Sequence, residues 1–569
     1  MLSDAHRANQ RFGIRGWFFL VVILGIFFGY QVGNRPFVSP DEGRYVEIPR
    51  EMVVSGDYVT PRLDGVKYFE KPPLFYWMEA AAIQTVGIGE TSMRFIPVLF
   101  AVLGCLTVFF VGYSCYSLNA GLLSVAILAT NILYYVHSRL IILDMVLSVF
   151  MSGSLWAFFL AFVRPGRFKI PKNLLIILMY AFSALACLTK GLIGAVLPGM
   201  VVFLWIAATK NWKIIREALY LPGIGVFLAI FLPWHILAAY RNHDFLYFYF
   251  IVEHFLRYST KMHGRYQPFW FFFPIVIGGL IPWAGATLMA LVSHLRNIAT
   301  SITKKDKKVL AIDSSACYFL MWVGGILIFF SVSGSKLIPY ILPIFQPLAL
   351  ITSVYLEREK NLKPAIWLSI ALFFVLCAAA VVFLYVLKKF PYFFECADFQ
   401  VLAAAVAGMF LVLSIVLVLT AFAKIPRNFS VFLSVFLAAN IMWTLNKAVP
   451  YYLEAVKPST QKMAETVRYN WTKDDLVFSY NHFWTDFPVY LGHTTGLINF
   501  VGELEFGVKS EPDKSPIMEE EKFWQLWNKK EKRIFLLMTR SEYRRIFVER
   551  TNIHKLLDFD SNFVVITNK

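Results

Sequence analysis

Long apolar segments recur along this chain, and they constrain its fold more than any other feature. A helix needs about 20 apolar residues to cross a bilayer. Only 16% of the residues are charged, against about 25% in an average soluble domain. We predict a polytopic α-helical membrane protein with about 13 transmembrane helices, at 16–33, 94–112, 119–136, 140–162, 174–190, 192–208, 218–239, 269–292, 315–333, 337–356, 364–387, 399–422 and 429–447.

The basic residues in the short connections predict the orientation. Lys and Arg are concentrated in alternate connections, which places those connections on one side with the N-terminus: 164–172, 210–216, 294–312, 357–363 and 423–428. Positively charged loops stay in the cytoplasm. We therefore expect a cytoplasmic N-terminus, and we expect residues 34–93, residues 240–268 and the C-terminus to lie on the opposite side.

The composition changes after Pro450, because no segment beyond it is apolar enough to span. We predict a transmembrane domain over 1–450 and a soluble α/β domain over 451–569, on the external side. Its expected strands and helices follow from period-2 and helical apolar patterns. The strands are expected at 476–480, 496–500, 533–539 and 563–567, and the helices at 519–530 and 541–548.

The stretch from Ser39 to Tyr76 is densely charged in a chain that is otherwise mostly apolar. Ser39 and Pro40 are typical of a helix start, with Glu42 completing a capping box. We expect a short helix at the membrane surface, bent or ended at Pro49. Asp64-Gly65 predicts a two-residue hairpin turn. Pro72-Pro73 then predicts the start of a second helix.

Ionisable residues on the expected external side come from several separate segments. Charges at the edge of a bilayer indicate function by default. Basic groups there favour an anionic lipid or phosphate partner, although each could be an ordinary solvated loop charge. We expect no nucleic acid partner, no disulfide framework and no zinc module built from the cysteines. The residues of this external group are Asp41, Arg44, Glu70, Lys71, Asp144, Lys190, Glu253, His254, Arg257, His263, Arg265 and Lys336.

Two motifs in this stretch carry a resemblance. The motifs are DEGRYVEIPREM at 41–52 and YFEKPPLFYW at 68–77. In these motifs the chain resembles the lipid A aminoarabinose transferase family of GT-C membrane glycosyltransferases. The resemblance implies a GT-C fold with periplasmic surface helices. It also implies transfer of an amino sugar from an undecaprenyl-phosphate-linked donor to a phosphate of lipid A, at the periplasmic face of a bacterial inner membrane.

The resemblance also implies residue roles. Asp41 matches the essential acid and Asp144 a second acid of the pocket. Arg44 and Lys71 match cations that bind the carrier phosphate, with Arg257 or Arg265 as a third. Tyr45 and Tyr340 are candidate substrate contacts. The resemblance implies no required cofactor, and it matches Glu70 and His254 to a site for a divalent metal such as zinc. We expect Asp41, Lys71, Asp144 and His254 to meet in one cavity.

The chemistry fits these residue types. Loss of polyprenyl phosphate builds negative charge on phosphate oxygens, which Arg and Lys stabilise. A carboxylate can orient the acceptor, take its proton or stabilise a cationic sugar ring. If the acceptor is an ionised phosphate, positioning is the main role expected of Asp41. Direct attack predicts inversion at the anomeric carbon.

Structural alternatives remain for each residue. Asp41 could complement a helix dipole, Glu70-Lys71 could be a surface ion pair, Asp144 could pair with Arg139, and His254 could be a loop histidine. A lipid flippase, or a polyprenyl-phosphate-hexose transferase acting on a protein or glycan, remains as an alternative function. The sequence leaves open the sugar and the lipid A phosphate that accepts it.

Overall fold

The structure, a computed structural model, describes residues 12–166, 168–256, 266–304, 307–387, 397–422, 424–547 and 554–569. The chain forms two compact units. The first unit contains residues 1–32, 97–236 and 250–448, and the second contains residues 33–96, 237–249 and 449–569. The division at residue 450 into separately folding domains stays a prediction.

Long apolar helices form the first unit and the segments that continue from it. Most are apolar around their circumference, as expected for helices surrounded by other helices or lipid. Their bounds are Ile14–Gly29, Phe95–Cys115, Leu118–Ala129, Ile132–His137, Asp144–Phe158 with a π-helical end at Phe159–Val163, Lys172–Lys190, Ile193–Thr209, Lys213–Ala218, Leu221–Arg241, Tyr247–Leu256, Phe269–Phe271, Phe272–Gly279, Ala284–Lys304, Lys307–Val332, Ile338–Ile344, Phe345–Arg358, Lys363–Leu387, Ala397–Ala421 and Arg427–Val456.

Helical structure is present in every predicted span, but the count of 13 is not confirmed. Within the described residues, eight helices are long and apolar enough to cross a membrane, or nine with one bent pair. That pair, Phe269–Gly279 and Ala284–Arg296, bends by 116°. The span predicted at 269–292 therefore contains a break, and its crossing of the membrane stays a prediction. Pro282 lies in the break and lacks the N–H that a continuous helix would need.

The second unit begins with the charged stretch. It forms α1 (Asp41–Ser55), β1 (Arg62–Leu63), β2 (Val66–Lys67), α2 (Leu74–Val86) and α3 (Glu90–Met93). The predicted hairpin is confirmed, since β1 and β2 pair antiparallel. Asp64 and Gly65 have φ of 53° and 83°, the left-handed values that a type I′ turn requires. The helix predicted after Pro72-Pro73 is confirmed as α2.

The structure differs from the sequence-based expectation at two points of α1. Pro49 lies inside α1 and does not end it, and a bend at Pro49 stays a prediction. The capping box is absent, because Pro40 occupies the N-cap position and makes no side-chain cap. Ser39 Oγ instead accepts a hydrogen bond from the Thr485 N–H at 3.0 Å. The side chain of Glu42 turns toward two arginines. Tertiary partners thus replaced the local cap.

The C-terminal residues form a six-stranded sheet. Its elements are α4 (Gln461–Asn470), β3 (Leu476–Tyr480), α5 (Asp486–Leu491), β4 (Gly496–Ile498), α6 (Glu505–Ser510), β5 (Ile517–Met518), α7 (Glu520–Lys529), β6 (Ile534–Thr539), α8 (Arg540–Phe547), β7 (Lys555–Phe559) and β8 (Phe563–Thr567). The strand order is β5-β4-β3-β6-β8-β7, parallel from β5 to β6 and antiparallel beyond. The four predicted strands and two predicted helices are present. β5, β7, α4, α5 and α6 were missed.

Alternate side chains of the central strands pack on opposite faces of the sheet, as period-2 geometry requires. Phe478 of β3 packs against Phe523 and Trp527 of α7 on one face. On the other face, Val477 packs with Met463 of α4 and Phe487 of α5. Helices therefore cover both faces of the sheet, α7 on one and α4 and α5 on the other. Their packing holds the loops at the sheet edges in place.

The charged stretch packs directly against the C-terminal residues of the same unit. A Cβ on Gly43 would lie 2.4 Å from the Asp486 nitrogen, and one on Gly507 would lie 2.4 Å from the Lys67 oxygen. Real Cβ atoms essentially never approach so closely. Both positions therefore require glycine, and the two parts of the unit meet backbone to backbone.

Candidate active site

A buried ion triad fixes the start of α1. Glu42 accepts hydrogen bonds from Arg35 at 2.5 and 2.9 Å and from Arg94 at 2.8 and 3.2 Å. It also accepts one from the Val38 N–H at 3.1 Å. Burial alone would raise the pKa of Glu42, but the two guanidinium groups lower it to about 2. The triad orients the first turn of α1, which carries Asp41.

Asp41 and Arg44 lie on neighbouring turns of α1 and form an ion pair. Arg44 Nη2 donates to Asp41 Oδ1 at 3.2 Å. The Asp41 side chain is 58% exposed, whereas that of Arg44 is 8% exposed. Asp41 is thus the accessible carboxylate of the motif, and Arg44 approaches it from the protein interior.

Two further groups contact Arg44. Its Nη1 donates to the Tyr68 hydroxyl at 2.9 Å and lies 2.8 Å from Glu503 Oε2. The Tyr68 hydroxyl donates in turn to Glu503 at 3.3 Å. Glu503 was not predicted as a site residue, because it lies in the C-terminal residues within no motif. Only its three-dimensional contact with Arg44 identifies it.

Aromatic rings line the next positions. Tyr45 packs against Tyr76 of α2 with 6.0 Å between ring centroids, and against Phe75 at 5.7 Å. Tyr45, Phe75 and Tyr76 are all buried. Tyr45 therefore helps to hold α1 against α2. Its predicted role as a substrate contact stays a prediction.

Glu70 and Lys71 form an ion pair between β2 and α2. The Lys71 Nζ lies 3.9 Å from Glu70 Oε2 and donates to the Glu70 carbonyl at 2.6 Å. Both side chains are mostly covered, at 12% and 14% exposed for Lys71 and Glu70. The pair is thus more enclosed than the surface pair considered as an alternative.

A second acidic cluster stabilises the hairpin. Glu47 pairs with Arg50 through both carboxylate oxygens. The Glu51 carboxylate accepts from the Gly65 N–H at 3.1 Å, and Asp64 Oδ1 accepts from the Thr495 N–H at 2.7 Å. Burial raises the pKa of Asp64 to about 8, against the effect of the Thr495 hydrogen bond. Burial and the neighbouring acids also raise the pKa of Glu51.

Asp64→Asn is expected to stabilise the hairpin at alkaline pH. Folded Asp64 keeps its proton to about pH 8, whereas an unfolded aspartate ionises near 4. The folded state thus binds more protons between these values, and the contribution of Asp64 to stability falls as pH rises through this window. Asparagine carries no charge and favours the type I′ turn.

The measurement is amide hydrogen exchange of residues 62–67 at pH 5 and pH 8.5. Asp64→Asn should slow exchange relative to the original chain at pH 8.5, after correction for intrinsic rates, with a smaller difference at pH 5. Asp474→Asn, at an exposed position of the same unit, is the control and should leave exchange unchanged. An equal effect of Asp64→Asn at both pH values would contradict the protonated aspartic acid.

Within the first unit, Asp144 pairs with Lys190. Asp144 begins one helix and Lys190 ends another, and their side chains form an ion pair. The Lys190 Nζ also lies 4.9 Å from the ring centroid of Tyr340. The structure thus brings together two predicted residues, Asp144 and Tyr340, through one lysine. The pair complements the charges of both helix ends.

The alternative pairing of Asp144 with Arg139 is wrong. Arg139 donates instead to the carbonyls of Phe28 and Tyr30, each at 2.6 Å. It therefore ties its own segment to the end of the first helix. The charged partner of Asp144 is therefore Lys190.

Some predicted site residues lie outside the described part of the chain. Arg257 and Arg265 are outside it, as is the side chain of His254. Asp41, Arg44, Glu70 and Lys71 belong to the second unit, and Asp144 and Tyr340 to the first. The expectation that these residues share one cavity stays a prediction.

The described residues hold no group of three or more His, Cys, Asp or Glu side chains arranged for a metal ion. Glu70 would supply a single carboxylate ligand, and the Lys71 ammonium group lies beside it. One carboxylate next to a cation is by itself a poor fit to a divalent ion. His254, the other predicted ligand, has no described side chain. The zinc site stays a prediction, and the chemistry below does not use it.

Two family descriptions match this chain. Residues 15–249 match "Dolichyl-phosphate-mannose-protein mannosyltransferase", and residues 463–568 match "Aminoarabinose transferase C-terminal domain". The first match contains the α1 and Glu70-Lys71 motifs, and the second contains Glu503. Arg44 and its contacts Asp41 and Tyr68 thus lie in the first matched region, and its contact Glu503 lies in the second.

Curated relatives are similar over much of the chain. An undecaprenyl phosphate-alpha-4-amino-4-deoxy-L-arabinose arabinosyl transferase from Enterobacter sp. (strain 638) is 30% identical over 420 residues, 70% of this chain and 71% of that protein. One from Edwardsiella ictaluri is 31% identical over 354 residues, 61% of this chain. The chain spans about three fifths of the length of that relative and of one from Proteus mirabilis, at 60% and 59%.

A crystal structure is similar over nearly the whole length. ArnT from Cupriavidus metallidurans bound to undecaprenyl phosphate superposes with a TM-score of 0.79 at 26% identity. The superposition covers 98% of this chain and 99% of that one. Its apo form gives a TM-score of 0.78. The GT-C architecture predicted from the sequence is therefore confirmed.

Proposed function

Because this chain belongs to the undecaprenyl phosphate-aminoarabinose arabinosyl transferase family, we propose that it is a membrane glycosyltransferase. It moves an aminoarabinose-like amino sugar from undecaprenyl phosphate to a phosphate of lipid A. The reaction takes place on the periplasmic face of the bacterial inner membrane, with the N-terminus in the cytoplasm and the C-terminal residues in the periplasm. The observation that supports this most is the 30% identity over 71% of the Enterobacter transferase.

The exposed carboxylate of Asp41 is the group proposed to act at the sugar. The α1 triad and Arg44 hold it at the start of a helix. An acceptor phosphate is largely ionised near neutral pH, so it needs orientation more than deprotonation. Asp41 also stabilises positive charge that develops on the sugar ring as the bond to the carrier phosphate breaks.

Cations stabilise the leaving group. The departing undecaprenyl phosphate gains negative charge, and a positioned ammonium group lowers the cost of that charge. The Lys71 ammonium group is held by the backbone carbonyl and the carboxylate of Glu70. We assign it to the carrier phosphate, together with Arg257 or Arg265. The predicted catalytic role of Asp144, which pairs with Lys190, and the predicted substrate contact by Tyr340 are kept in this proposal.

Lys71→Gln is expected to raise the KM for the undecaprenyl-phosphate-linked donor. The loss of one charge-assisted hydrogen bond costs about 1.5–3 kcal/mol, which corresponds to a rise of about 10- to 100-fold in the donor KM. Steady-state transfer kinetics with varied donor would measure it. Lys67→Gln removes the same charge from β2, where Lys67 lies 4.0 Å from Glu511, and should leave the donor KM unchanged. Equal effects of the two variants would remove the specific role of Lys71.

The transfer assay tests the proposed function. The purified protein in lipid nanodiscs receives undecaprenyl-phosphate aminoarabinose and lipid A, and mass spectrometry detects sugar added to lipid A. Parallel reactions with a peptide or a glycan acceptor, and with a polyprenyl-phosphate hexose donor, test the alternative transferases. Product on lipid A alone supports the proposal. Product only on a peptide or glycan, or movement of lipid without product, would contradict it.

A further inference from the structure

Glu503 reaches Arg44 from a distant part of the sequence. It lies in the short helical turn Gly502–Leu504, just before α6. Its Oε2 is 2.8 Å from Arg44 Nη1 and 3.3 Å from the Tyr68 hydroxyl. The Glu503 side chain is 19% exposed and that of Arg44 is 8% exposed. The contact is therefore a nearly enclosed ion pair within one unit.

Both terminal nitrogens of the Arg44 guanidinium contact groups of the protein itself. Nη1 is shared between Glu503 and Tyr68, and Nη2 donates to Asp41. Nε is buried and has no hydrogen-bond partner among the described residues. A phosphate group that bound the two Nη1 donors would have to displace Glu503 or Tyr68. The geometry thus favours a fixed internal role for Arg44 over direct contact with substrate.

We propose that Glu503 is a positioning residue: it anchors the Arg44 guanidinium, and Arg44 in turn holds the Asp41 carboxylate. This inference rests on the proposed transfer reaction and deepens it. It reassigns Arg44 from carrier-phosphate ligand to positioning residue, and leaves the phosphate to Lys71 and the later arginines. The C-terminal residues thereby take part in aligning the catalytic acid.

The physical reason is the mobility of an exposed carboxylate. Asp41 is mostly exposed and has one charged contact within the described part of the chain, to Arg44 at 3.2 Å. Arg44 has a long side chain with about 2 kcal/mol of rotamer entropy. A buried counter-ion keeps that side chain in one arrangement, and the planar guanidinium then transmits the constraint to Asp41. A misplacement of about 1 Å at a reacting group can cost about 100-fold in rate.

The charges around Glu503 fit this role. Burial raises its pKa, Arg44 lowers it, and Glu70 and Asp41 raise it again. Three carboxylates thus surround one buried guanidinium. Arg44 is the charge that allows Glu503 and Asp41 to lie near each other, so removal of Glu503 would release Arg44 toward other anions.

The test uses the full-length protein in nanodiscs with the donor and lipid A. Glu503→Gln keeps the shape and removes the charge, and Glu503→Ala removes the contact. Both should lower kcat by about 10- to 100-fold with the donor KM changed by less than about 3-fold. Glu503→Asp should restore part of kcat. In an Arg44→Met background, Glu503→Gln should cause no further loss beyond about 2-fold.

Glu505→Gln is the matched control. Glu505 is exposed on α6 and pairs only with Lys509 in the described part of the chain, so its loss should leave kcat unchanged. If Glu503→Ala fails to fold, judged by its unfolding temperature, Glu503→Gln decides. An unchanged kcat, a large rise in donor KM, or an undiminished loss in the Arg44→Met background would overturn the proposal.

A separate measurement distinguishes failure of this inference from failure of the proposed function. Binding of undecaprenyl phosphate by the original chain and by Arg44→Met needs no sugar transfer. A positioning role predicts affinities within about 3-fold, whereas a direct phosphate ligand predicts a loss of about 10-fold or more. If the original chain transfers no sugar to lipid A, the proposed function fails. The binding comparison then still decides the role of Arg44.

Discussion

Asp41→Asn is expected to abolish sugar transfer while the protein stays folded. The substitution keeps the size of the side chain and removes the negative charge that is proposed to act at the sugar. A positioned acid or base typically contributes about 10²- to 10⁴-fold in rate. We therefore expect kcat to fall by at least about 100-fold in the nanodisc transfer assay.

The fold should tolerate this change. Asp41 is exposed, and exposed ion pairs contribute about 0–1 kcal/mol. Arg44 retains Glu503 and Tyr68, so no buried charge is left without a partner. Asp513→Asn makes the same chemical change at an exposed position of the same unit and should keep full activity. Transfer at the original rate by Asp41→Asn would remove Asp41 from the catalytic role.

Glu42→Ala is expected to have the largest effect on stability. Glu42 is the shared anion of Arg35 and Arg94, and all three are buried. Removal of one member of a buried ion network leaves uncompensated charge and costs about 3–5 kcal/mol. Thermal unfolding of the purified protein should shift downward by several degrees, and less protein should remain monodisperse in detergent.

A compensated variant separates charge from packing. The combination of Glu42→Met, Arg35→Met and Arg94→Met removes the whole network and replaces it with apolar groups. Such replacements are often neutral or stabilising, so this variant should regain much of the loss. Glu465→Ala, at an exposed position on α4, is the control. Equal destabilisation by Glu42→Ala and Glu465→Ala would contradict the buried triad.

The pH dependence of the triad follows from its pKa. The folded pKa of Glu42 is about 2, below the ordinary glutamate value of about 4.3. Its contribution to stability is therefore complete above about pH 4.3 and is lost as pH falls toward 2. This window is opposite in sense to that of Asp64, whose contribution is lost as pH rises toward 8.

Local sequence chemistry predicted the elements that depend on near neighbours. The Asp64-Gly65 turn follows from left-handed φ at two positions, and α2 follows from Pro72-Pro73. The strands β3, β6 and β8 have strong apolar patterns and were found. β5 has two residues and β7 is largely exposed. Their patterns are weak because sheet pairing, not burial, holds them.

Contacts between residues that are far apart in the sequence could not be predicted from the sequence. The cap at Ser39 was replaced by a contact with Thr485, and Asp144 pairs with Lys190 instead of the nearby Arg139. The break in 269–292 has a local signal in Pro282, but its angle of 116° depends on packing. A pattern of residue types shows which groups need partners and does not show which partners they find.

By itself, the sequence determined that this is a polytopic membrane protein with a C-terminal α/β region, and it singled out Asp41 and Lys71. Those conclusions depend on composition, periodicity and motifs, which are local properties. The tertiary structure decided that Glu503 holds Arg44, that Glu42 joins two arginines, and that Asp64 is a protonated acid. Each of these depends on burial and on contacts between separate segments, 52 residues apart for Glu42 and Arg94 and 431 for Asp64 and Thr495. Such contacts arise only when the chain has folded.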